Sequence, residues 1–116
     1  MVNNEELKQA FNDVMATKER LAMRSEEELK AREILKASEA EVDLSGKCDG
    51  KNAEIRAAQK RRLTSADVLA LGKAEAEKRK ALLAYELACL KADCLKWQIR
   101  NEQAAADCEA QRLGAI

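Results

Sequence analysis

The stretch LLAYELACLKADCLKWQIRNEQAAADC, residues 82–108, decides how this chain reads. Leu83, Leu90, Trp97 and Ala104 stand seven apart, and Leu87, Cys94, Asn101 and Cys108 fall between them. The spacing alternates four and three, the period of a helix packed along one seam against another helix. Toward the N-terminus, Leu69 and Ala76 extend the first series, and Lys73 and Lys80 extend the second. With no proline in the chain, the segment from about 65 to 113 reads as one helix, a rod of roughly 60–70 Å at about 1.5 Å per residue.

A second helical pattern precedes it, over about 4–43. Leu7, Val14, Leu21, Leu35 and Val42 recur every seven residues, and only Glu28 interrupts them. Phe11 completes a local pair with Leu7 and Val14, and the interleaved positions then turn polar: Lys18, Ser25, Arg32 and Glu39. Folded back antiparallel, the two patterns fit when opposed residue numbers add to about 111. Val42 then meets Leu69, Leu21 meets Leu90, Val14 meets Trp97 and Leu7 meets Ala104. In this frame Trp97 anchors the core. Glu28 lies near Leu83, with Arg32 and Lys80 a turn away, as a polar layer that sets register. Asn101 does the same in the second helix.

Residues 44–64 join the two helices. Gly46 suits the left-handed residue that ends a helix, and Asp49–Gly50 is a turn signal. Asn52 can cap a short helix, NAEIRAAQKRR, with Glu54 in its first turn. Thr64 and Asp67 have the spacing of a capping box for the last helix. The expected fold is therefore all-α: one domain, 1–116, forming a long antiparallel, coiled-coil-like helical hairpin with a short helix in its connecting cap. Each helix of such a hairpin has a single neighbour, and Leu29, Ile34, Leu82, Leu95 and Ile99 fall off the seam. Burying them calls for self-association, expected as a dimer that forms a helical bundle. Leu83, Leu87, Leu90, Cys94, Trp97 and Asn101 are the expected seam or oligomer residues.

Composition agrees with long helices: charged residues are 36% of the chain and aromatics 3%. Net charge is zero, so no global field draws nucleic acid or membrane. The polar N-terminus lacks the pattern of a secretory signal, and no apolar run approaches the roughly 18 residues of a bilayer span. A cytoplasmic protein of a bacterial or phage-infected cell is expected. Cys48, Cys89, Cys94 and Cys108 have irregular spacing and read as reduced thiols acting as small hydrophobes. Histidine is absent, which removes the commonest general base. No catalytic, cofactor or metal residues emerge, and a non-enzymatic interaction or scaffold module with an unknown protein partner is expected.

Charge is nonetheless segregated. Residues 47–62 hold six cations (Lys47, Lys51, Arg56, Lys60, Arg61 and Arg62) against two anions, whereas residues 1–46 hold seven cations against eleven anions. A positive cap on an acidic shaft could contact phosphates, so a nucleic-acid-associated factor is the alternative. The cap's DGKNAEIRAAQ, residues 49–59, flanked by two long helices, resembles a group of small, uncharacterised phage and prophage proteins with a G-K-N-A-E-x-R element. The resemblance implies a phage or prophage accessory protein in a bacterial cytoplasm. It brings no activity and no functional residues.

Overall fold

The computed structural model describes residues 3–114. Three helices follow one another, α1 (Asn4–Ser45), α2 (Ala53–Leu63) and α3 (Ser65–Gly114), with no strand among the described residues. The chain is an all-α helical hairpin, as its periodicity predicts. Asn3 opens α1: its side chain accepts the Glu6 backbone N–H at 2.8 Å, and Glu5 and Glu6 complement the positive helix end. Gly46 ends α1 at φ +70°, a conformation that costs any other residue a Cβ clash.

Contacts divide the hairpin into two units. One joins the chain up to Arg20 with the chain from Leu82 onward; the other is Leu21–Ala81.

In the Leu21–Ala81 unit, opposed partners are Glu28 with Lys78, Arg32 with Glu75, and Ser38 with Asp67. Their numbers add to 105–107, about one helical turn from the expected 111. The seam of α1 carries Leu21, Glu28, Leu35 and Val42, the expected heptad series, all half-buried. The interleaved positions lie both three and four residues on: Arg24, Ser25, Ala31, Ser38 and Glu39 are half-buried, and of the expected set in this unit only Arg32 is exposed. From α3, Leu71, Ala74, Lys78 and the buried Ala81 complete the layer.

The other unit follows the same frame. Leu7, the buried Ala10, Val14 and Thr17 line α1; Tyr85, Ala88, the buried Ala92, Leu95 and Ile99 line α3. Gln9 and Ala10 share a cleft with Lys91 and Leu95, and the Lys96 ammonium sits 5.1 Å from the Phe11 ring centre. The seam of α3 is thus alanine-rich, and the expected leucine seam is not the one that packs on α1. Small side chains at a helix contact let the two axes approach closely. Leu95 and Ile99, expected off the seam, belong to it.

Candidate functional site

Two places hold the residues singled out by the sequence: the cap and the outer face of α3.

In the cap, the G-K-N-A-E-x-R element is a clamp. Asn52 caps α2, its side chain accepting the Ile55 backbone N–H at 2.9 Å. Arg56 Nη1 donates to the Gly50 carbonyl at 3.0 Å. Gln59 Oε1 accepts the Gly50 N–H at 3.0 Å, and its Nε2 donates to Asp49 Oδ1 at 3.2 Å. A Cβ on Gly50 would overlap Ile55 Cγ2 and lie 2.9 Å from Ile55 Cβ, so the loop lies flat on α2 only with glycine there. Gly50, Asn52, Arg56 and Gln59 therefore hold the connection together.

Lys60 is also engaged within the fold. Its ammonium meets Asp43 Oδ2 at 3.0 Å, and that hydrogen bond raises its pKa above the usual lysine value. Of the six expected contact residues, Arg56 and Lys60 are tied to the fold. Lys47, Lys51, Arg61 and Arg62 are exposed, and none forms an ion pair among the described residues. An open cleft beside them is bordered by Glu39, Glu54, Lys60, Arg61 and Val68. Its mixed charge suits no strongly anionic ligand.

Thr64 and Asp67 do not form the expected capping box. Thr64 is buried, and both its N–H and its hydroxyl donate to the Lys60 carbonyl. Asp67 instead accepts a hydrogen bond from Ser38 across the hairpin.

Glu28 is a charged layer of the seam, as expected, with a different lysine. It meets Arg32 at 2.8 Å and Lys78, rather than Lys80, at 3.0 Å, with 13% of its side chain exposed. Arg32 reaches on to Glu75 at 3.4 Å. Hydrogen bonds from Arg32 and then Lys78 hold the Glu28 carboxyl below the usual carboxylate range. Each carboxylate oxygen of Glu28 thus holds one cation, which ties the layer into the hairpin contact.

The outer face of α3 departs most from expectation. Leu83, Leu87, Leu90 and Trp97 are 58%, 57%, 59% and 64% exposed. Cys94 and Asn101 beside them are exposed as well. Each lies two residues from a position of the inner seam, about 200° around a helix of 3.6 residues per turn. The six residues expected in the seam or at an oligomer contact are therefore together, but on the side of α3 opposite α1. Trp97 is no core anchor of the hairpin. Cys48 and Cys89 are half-buried, while Cys94 and Cys108 are exposed free thiols rather than packed hydrophobes.

Among the described residues no group of three or more potential ligands is placed to hold a metal ion, and no helix is long and apolar enough to cross a membrane. No family model, curated protein or solved structure matches the chain.

Proposed function

We propose that the chain is a non-enzymatic interaction or scaffold module that works through the outer face of α3. One observation carries the reading. Leu83, Leu87, Leu90 and Trp97 lie in water at four–three spacing along one line of a helix whose opposite side is already occupied. A contiguous apolar line of this kind marks a docking surface, and its period is the one a partner helix reads. The cytoplasm of a bacterial or phage-infected cell is the proposed setting, and an accessory role in a phage or prophage rests on the Gly50–Gln59 likeness.

Proximity labelling in the producing cell tests the reading. The partner set is expected to disappear with Leu83→Glu/Leu90→Glu and to survive Lys51→Glu/Arg61→Glu/Arg62→Glu. The reverse pattern would overturn it.

The cap supports a second reading, a nucleic-acid-associated factor, because Lys47, Lys51, Arg61 and Arg62 are exposed on one short segment. Phosphate contacts by these residues would make binding to generic DNA fall steeply with salt. Micromolar protein that shows no salt-sensitive binding to duplex or single-stranded DNA excludes this reading.

A further inference from the structure

We propose that the outer face of α3 is covered by a second copy of this chain, with the two α3 helices parallel and in register over Leu83–Cys108. The proposal rests on the interaction reading above and names the partner of that same face.

Three observations point to a second copy. The first is the seam itself. With Leu83, Leu90, Trp97 and Ala104 at the d positions of a heptad, Leu87, Cys94, Asn101 and Cys108 fall at a. Leucine holds two of the four d positions, and in a parallel pair the single asparagine at a pairs with its own copy and fixes register. Lys80 and Lys73, the preceding a positions, would each meet their own copy, which sets the N-terminal limit of the pairing near Leu83.

The second is charge. In a parallel pair each g position faces the e position five residues on in the other helix. Glu86 then faces Lys91 of the second copy, Asp107 faces Arg112, Asp93 faces Gln98, and Arg79 and Arg100 face Ala84 and Ala105. No like charges oppose one another. An antiparallel pair centred on Leu83–Cys108 gains Asp93 opposite Arg100. However, it sets Glu86 on Asp107 at both ends, and it places Asn101 opposite Leu90.

The third is the tail of α3. Every residue from Arg100 to Gly114 is exposed in the hairpin. Pairing with the same tail of a second copy adds contact through Asn101, Ala104 and Cys108. Four large apolar side chains per copy, at about 60–120 Å² each, together with neighbouring aliphatic stems and this tail, bring the interface to the order of 1,000 Å², where specific interfaces begin.

Because the two seams of α3 lie on opposite sides of the helix, this dimer has the two α3 helices in the middle and one α1 outside each. It does not close into a single-cored four-helix bundle.

Light scattering of the reduced full chain at tens of micromolar is expected to give twice the 12.9 kDa chain mass. Leu83→Glu/Leu90→Glu is expected to halve the mass while keeping the helical circular dichroism. Leu29→Glu/Ile34→Glu, on exposed positions of α1, is expected to leave it doubled. A strict monomer, or a dimer that survives the α3 substitutions, overturns the proposal. Orientation is read on a chain whose only cysteine is Cys94 (Cys48→Ser, Cys89→Ala, Cys108→Ser). Mild diamide oxidation is expected to convert most of it to a disulfide-linked dimer on a non-reducing gel. A dimer by mass that gives no such product overturns the parallel register. A monomer whose cellular partners still vanish with Leu83→Glu/Leu90→Glu would sink the self-pairing alone and leave the interaction reading standing.

Discussion

The two sides of α3 share one period and almost nothing else. The inner side sets Ala74, Ala81, Ala88 and Ala92 among Leu71, Tyr85, Leu95 and Ile99 and packs on α1; the outer carries Leu83, Leu87, Leu90 and Trp97 and faces water. The lesson is that periodicity locates seams, whereas side-chain size decides which seam takes which neighbour. Alanine on the inner side permits a close approach of the two helix axes.

The sharpest way to break this contrast is to enlarge the inner side. Ala92→Leu is expected to overpack the contact and cost about 1–3 kcal/mol, seen as a lower melting temperature or urea midpoint. If stability is unchanged, Ala92 is not at a close helix contact. The cap provides a reference between the two sides. Asn52→Ala removes the acceptor for the Ile55 N–H and is expected to cost about 1 kcal/mol by the same measurement. The inner side also holds the charged layer at Glu28. A carboxyl whose pKa is lowered by folding adds stability above the ordinary carboxylate range, and that stability is lost as pH falls through the folded-state value. Glu28→Gln should therefore flatten the acid limb of a melting-temperature-versus-pH curve and lower the neutral plateau. An unaltered acid limb would mean that Arg32 and Lys78 do not hold the carboxylate. The smallest effect belongs to the outer side: Leu87→Ala, measured at concentrations where the chain is monomeric, is expected to stay within about 0.5 kcal/mol. A loss of several kcal/mol there would place Leu87 inside the hairpin.

Much of the architecture was legible in the residues. Gly46 and Asn52 fixed the ends of α1 and α2 because glycine and asparagine have specific backbone work at those positions. The Leu7-to-Val42 series of α1 was readable because Leu7, Val14, Leu21, Leu35 and Val42 keep a seven-residue interval that only Glu28 interrupts. The inner seam of α3 was not, because Leu83, Leu90 and Trp97 outweigh Ala81, Ala88 and Ala92 on any hydrophobicity scale. The choice between the two seams depends on how near α1 comes, which no single helix encodes. The register shift of one turn follows from that choice. The Gly50–Gln59 element stands out in the sequence without showing its role. Its conspicuous residue types are those a tight clamp requires, and only the contacts of Arg56 and Gln59 reveal the role.

The reversal of the chain occupies only residues 46–52, and the backbone hydrogen bonds from Thr64 N–H to Lys60 and from Val68 N–H to Thr64 carry the ladder of α2 into α3. In the Leu21–Ala81 unit the cross-hairpin pairs therefore lie at increasing sequence separation from the turn: 17 residues for Asp43–Lys60, 29 for Ser38–Asp67 and 43 for Arg32–Glu75. Each pair formed shortens the loop that the next must close, and closure entropy rises only slowly with loop length. Closure from the cap outward is the expected order for such a unit. Amide exchange within it should be graded, slowest near the turn and faster with every step away.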